Sequence, residues 1–218
     1  VLVGAFLGVD SPLTVTQMLW VNLIMDTFAA MALSSLPADP KVFDDKPRDP
    51  NSHIIDKAML KRILFGGVFF FFVLILLWEI MLHSDVQSVA QLLSWDTIKS
   101  GLAGTVGATS TEMTRYEMGI FFTAFVMMQF WNIFNAKNFR TEGSFFLTMF
   151  SKNSFSGAFY LIVLVILGGQ YLIVNCLGKF FDVAPLTASD WWRIIAVTSL
   201  VLVVPEIKRI IKTIFVKK

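Results

Sequence analysis

From Phe155 to Leu177 the chain passes without a charged residue, a length that matches the roughly 20 residues a helix needs to cross the hydrocarbon core of a bilayer. Inside lipid the backbone finds no water to bond, so such a segment closes its hydrogen bonds on itself as a helix. Apolar runs at Leu13–Leu33, Ile63–Leu82, Met118–Phe134 and Trp191 to about Val204 repeat the pattern. Val1–Val9 is apolar but too short to span, and reads as the last turns of a helix. Hydrophobic residues make up 56% of the chain and charged ones 16%, below the roughly 25% usual in soluble domains. The fold class that follows is all-α: a polytopic transmembrane helix bundle of five full spans plus the end of a sixth. One cysteine provides no disulfide framework. No signal peptide is visible and Val1 is not a natural start, so the chain is expected to be part of something longer.

Polar residues inside the spans are the next constraint. Asn22 and Asp26 lie four apart in TQMLWVNLIMDT, one turn above each other on an α-helix. An ionised Asp near the middle of a membrane helix costs roughly 2.5–3.5 kcal/mol on insertion scales, so it needs a partner or a use. One use is a polar contact that holds two helices together. The other is a cation site, because amide and carboxylate oxygens are the hard ligands that Ca²⁺ and Mg²⁺ prefer. Gln129, Asn132 and Asn135 follow at spacings of three in the Met118 span, a stripe suited to helix-to-helix hydrogen bonding. Glu79, at the far end of its span, reaches the interface.

The loops differ sharply from the spans. Residues 34–58 carry Pro37, Pro40, Pro47 and Pro50 among many charges, which precludes a regular helix. His83–Glu117 is polar, with a flexible GLAGTVGATSTEMT portion and a short surface helix expected at Val86–Trp95. Gly168-Gly169 allows close packing or a bend, and Trp191 with Trp192 forms an expected interfacial anchor. Pro205 is expected to kink the helix it lies in, and the tail beyond it is a basic amphipathic segment. If the Ser34–Arg62 loop, the Ala136–Ser154 loop and the tail share one side, that side holds fourteen Lys and Arg, and the other keeps Lys99, Arg115, Lys179 and Arg193. The richer side is then cytoplasmic, and the C-terminus with it.

TQMLWVNLIMDTFAAMALS, followed by a Pro-rich acidic loop with DDKPRDP and by four more spans, resembles the C-terminal membrane portion of P-type Ca²⁺-ATPases. The plasma-membrane type is closest, and a bacterial member of it is expected. The resemblance covers essentially the whole chain. It implies an organisation into the end of a membrane helix at 1–9, an ion-site helix at 10–33, a cytoplasmic coupling loop at 34–58, and a four-helix C-terminal region with a basic tail at 59–218. Under it, Leu13–Leu33 is the family's sixth membrane helix, and Asn22 and Asp26 match the positions that ligate the transported Ca²⁺. It also makes Asp39, Asp44, Asp45 and Arg48 candidates for contact with the cytoplasmic domains and remaining helices of the same pump, which lies in the cell membrane with the lipid bilayer as its other partner.

Two departures narrow the branch. The sarcoplasmic-reticulum type has Thr before the sixth-helix Asp and a Glu in the eighth helix, and both help form a second Ca²⁺ site. Here those positions hold Met25, a poor Ca²⁺ ligand, and uncharged Gln129. The secretory-pathway Ca²⁺/Mn²⁺ pumps have an eighth-helix Asp, which Gln129 also fails to match. One site is therefore implied, with Asn132 and Asn135 in packing roles. No residue resembles the phosphorylated Asp of a DKTGT motif and no phosphate-binding Gly-rich loop occurs, so the resemblance puts ATP and Mg²⁺ on other domains. No catalytic residue and no nucleic-acid contact is expected within the chain. A secondary cation transporter or channel would also explain a midplane Asp beside an Asn, and a non-catalytic membrane subunit would use both for packing.

Overall fold

The computed structural model describes residues 6, 11–37, 55–103, 112–138 and 156–207. Five helices among them are long and apolar enough to cross a membrane. They are α1 (Val15–Ser34), α2 (Lys57–Leu82), α5 (Arg115–Lys137), α6 (Gly157–Cys176) and the last span, Ala188–Ile207, which opens with α8 (Ala188–Thr198). Three shorter helices join them: α3 (Val89–Leu92), α4 (Trp95–Ala103) and α7 (Gly178–Phe181). Each expected full span is thus a helix, within a few residues of its sequence bounds. The stub at Val1–Val9, apart from Phe6, lies outside the described residues, as do Asp39, Asp44, Asp45, Arg48 and the basic tail from Lys208.

Local sequence explains where the helices begin. Thr14, Thr114 and Thr187 each cap a span, and Gln17, Glu117 and Asp190 three residues later close the reciprocal bonds of a capping box. Asp56 and Ser156 cap α2 and α6 with a side-chain oxygen.

Burial makes α5 the central pillar: 72% of its apolar window is buried against 17% for α2. Phe122, Phe159, Ile120, Ile166 and Ile24 are at most 1% exposed and fill the space around it. Aromatic rings run from α5 into α6, with Phe134 edge-on to Phe159 at 5.6 Å. In α2, by contrast, Leu64, Phe65, Val68 and Phe72 point away from the bundle, as side chains do that meet lipid or another helix.

Hydrogen bonds between the helix ends fix alternating directions. At one end Gln17 Nε2 donates to the Phe181 carbonyl (2.7 Å), Val86 N–H to Glu117 (3.0 Å) and Val89 N–H to Asp190 (3.3 Å), while Arg115 pairs with Asp182 (2.7 Å). At the other, Ser35 meets Ser156 (3.2 Å) and Lys137 Nζ donates to the Tyr160 hydroxyl (3.1 Å). Antiparallel passes follow, with the 83–114 and 177–187 connections at the same end.

Three local expectations change. The helix expected at Val86–Trp95 is divided into α3 and α4, and it packs inward: Val86, Val89 and Leu92 are buried because Glu117 and Asp190 hold the backbone at Val86 and Val89. Gly101 to Ala103, read as the start of a flexible loop, close α4 instead. A Cβ on Gly101 would lie 3.0 Å from Ile80 Cα, so the missing side chain lets α4 rest on α2. Trp191 is buried, its ring 5.7 Å from Tyr171, and only Trp192 is left exposed as an interfacial anchor. Within the Gly168-Gly169 pair the close packing belongs to Gly169, since nothing lies within 4 Å of a Cβ at Gly168.

Candidate cation site

The expected unbroken α-helix over Leu13–Leu33 is interrupted where the polar residues fall. Val15–Asn22 is α-helical, Leu23–Ala29 is π-helical and Ala30–Ser34 is α-helical again. Asn22 ends the first stretch with its side chain exposed, and the Asp26 backbone lies within the π segment. A π-helix bonds i to i+5, so its turn is wider than the α turn that put Asn22 and Asp26 directly above each other. At its exit the Ala30 N–H bonds the Thr27 carbonyl, a tighter i to i+3 closure. A wide turn followed by a tight one is a place where backbone can yield to a ligand, and π segments recur at functional sites for this reason.

Gln129 is brought to this helix. It lines a narrow crevice with Val126 of α5 and with Val21 and Ile24 of α1, too small for a water molecule. Asn132 is half-buried, about one helical turn beyond it. Among the described residues no three His, Cys, Asp or Glu side chains gather as a metal cluster.

Asn135 has a structural task. Its Nδ2 donates to the Val201 carbonyl (2.8 Å), and Val201 is four residues before Pro205, which has no N–H to offer that carbonyl. The amide thus replaces the helix bond that proline removes. Asn135→Leu is expected to cost about 1 kcal/mol of stability. In a Pro205→Ala background, where the new backbone N–H could supply the bond, the same change should cost clearly less. Thermal unfolding of the four proteins measures this, and equal costs in both backgrounds would contradict it.

Sequence reasoning missed the residues that fix α1 in place. Gln17 and Gln170 are both fully buried. Trp20 Nε1 donates to Gln170 Oε1 (3.0 Å), and the Trp20 ring lies on Gly169, where a Cβ would come within 2.8 Å of it. The available signal was Gln170 itself, an amide inside a run without charges.

Comparison with known proteins was made against this geometry. Residues 10–211 match the family described as cation transporting ATPase, C-terminus. Similar proteins include plasma membrane calcium-transporting ATPase 3 of Homo sapiens, 34% identical over 191 residues, covering 86% of this chain and 14% of that protein. Plasma membrane calcium-transporting ATPase 1 of Oryctolagus cuniculus is 33% identical over 88% of this chain and 14% of its own length. Calcium-transporting ATPase 2 of Cryptococcus neoformans is 31% identical over 94% of the chain and 13% of its own length. The chain thus spans a small part of the relatives it matches, and these animal and fungal names lend no support to the expectation of a bacterial source.

Proposed function

The chain belongs to the C-terminal family of cation-transporting ATPases, and from that membership we propose that it is the membrane part of an ATP-driven pump that exports Ca²⁺ from the cytoplasm. The observation that carries the reading is the coincidence of the π-helical segment with the one carboxylate in the middle of a span, Asp26, and with Asn22 at its edge. Asn22 and Asp26 contribute oxygens to a single Ca²⁺ site in this reading. Ca²⁺ takes 6–8 oxygen ligands, so the rest of the shell comes from other helices of the pump. Met25 and Gln129 are poor substitutes for the ligands a second ion would need.

The remaining roles follow from the same reading. The loop around Asp39, Asp44, Asp45 and Arg48 contacts the ATP-driven cytoplasmic domains, where ATP and Mg²⁺ act. The Ser34–Arg62 loop and the C-terminus are cytoplasmic, which agrees with the excess of Lys and Arg on that side. Uptake of ⁴⁵Ca²⁺ by inside-out vesicles carrying the full-length protein tests the proposal. Uptake that needs ATP and no imposed ion gradient is expected. Uptake that ignores ATP and follows a proton or sodium gradient would instead support a secondary transporter.

A further inference from the structure

We propose that Gln170 is a positioning residue for the cation site, acting through Trp20 to set how α1 presents Asn22 and the π segment. The inference rests on the reading of Asn22 and Asp26 as Ca²⁺ ligands.

The contact is built from both sides. An indole N–H is a donor only, so the Trp20 bond fixes the Gln170 amide with Oε1 toward the ring. That orientation leaves Gln170 Nε2 buried with no partner among the described residues. An unpaired donor inside an apolar bundle is costly, and the lone amide of a membrane span is kept where it serves a purpose. Gly169 completes the seat, because any side chain there would meet the Trp20 ring at 2.8–2.9 Å.

Its place along α1 gives the contact its consequence. Gln17 and Trp20 are three apart on one face, and both are fastened to the same neighbouring hairpin: Gln17 to the Phe181 carbonyl of α7, Trp20 to Gln170 of α6. The α-helical half of α1 is therefore pinned at two points one turn apart. The second point lies two residues before Asn22, roughly 3 Å of helix rise, and directly ahead of the π segment. Rotation of α1 about its axis, which would swing Asn22 away from the site, is resisted at Trp20. Loss of the bond should be felt as weaker ion binding, with the chemistry on the cytoplasmic domains unchanged.

The test uses the full-length pump in membranes and four variants: Gln170→Leu, Trp20→Phe, both together, and Asp26→Asn as the reference for the site. The readouts are the Ca²⁺ concentration that half-activates ATP hydrolysis and the maximal turnover per phosphorylatable pump. Each single variant is expected to raise the half-activating concentration roughly five-fold, the equivalent of one net hydrogen bond, with turnover unchanged. The double variant should return toward the parent, because removing both partners leaves neither unpaired. Singles that half-activate at the parental concentration, or that only reduce the number of pumps, would overturn the positioning role. If Asp26→Asn then still abolishes activation, the cation-site reading stands without it. Retention of parental Ca²⁺ activation by Asp26→Asn would overturn the site itself, and the role of Gln170 with it.

Discussion

Asp26→Asn in the full-length pump is expected to abolish Ca²⁺-dependent phosphorylation from ATP while leaving membrane insertion intact. The substitution keeps shape and one oxygen and removes the charge. Asp26 is the only charged residue in the middle of any span, so nothing else in this chain would neutralise a cation at that depth. Removing one member of a desolvated charge pair typically costs about 3–5 kcal/mol, or an affinity loss of roughly 100- to 1,000-fold or more. Asn22→Ala should weaken binding in the same direction but less, since it takes away one neutral oxygen. Phosphorylation by ATP across a Ca²⁺ titration reads both variants, and near-parental Ca²⁺ affinity in Asp26→Asn would remove that residue from the site.

The second large effect is structural and lies at the opposite end of the bundle's logic. Asp190 is 3% exposed, and its carboxylate accepts from the Tyr116 hydroxyl (2.9 Å), the Val89 N–H (3.3 Å), and the Thr187 hydroxyl (2.6 Å) and N–H (3.2 Å). One side chain thus caps the last span, holds α5 through Tyr116 and seats α3. Asp190→Leu leaves these donors without their acceptor and should destabilise the protein by about 3 kcal/mol, a fall in Tm of roughly 6–12 °C. Asp190→Asn, which keeps one acceptor oxygen, should lose less. Thermal unfolding in detergent decides, and a Tm for Asp190→Leu equal to the parental value would show that the network carries no stability.

The spans were legible because lipid imposes one length and one polarity on each of them, and Thr14, Thr114 and Thr187 mark three starts with ordinary capping chemistry. The interruption of α1 was not legible. LIMDTFA has no Pro or Gly, so composition alone predicts a continuous α-helix there. The connection after α2 was misread for another reason: its fold depends on Glu117 and Asp190, which are about 30 and 100 residues away in sequence and act after the bundle has brought them near. Trp191 was taken as an anchor because a Trp pair at a span end commonly is one, but consecutive helical positions point in different directions, and only Trp192 faces outward. Of the site, Asn22, Asp26 and the neighbouring Gln129 could be nominated from sequence. The seat of Trp20 on Gly169 and Gln170 could not, because it joins residues about 150 apart.

The account's central claim is a single Ca²⁺ site that depends on Asp26. Equilibrium binding of ⁴⁵Ca²⁺ to the purified full-length pump, parent beside Asp26→Asn, tests it most directly. The account predicts one ion per pump in the parent and no specific binding in the variant over the same concentration range. Two ions per parent pump, or one ion bound by Asp26→Asn with parental affinity, would contradict it.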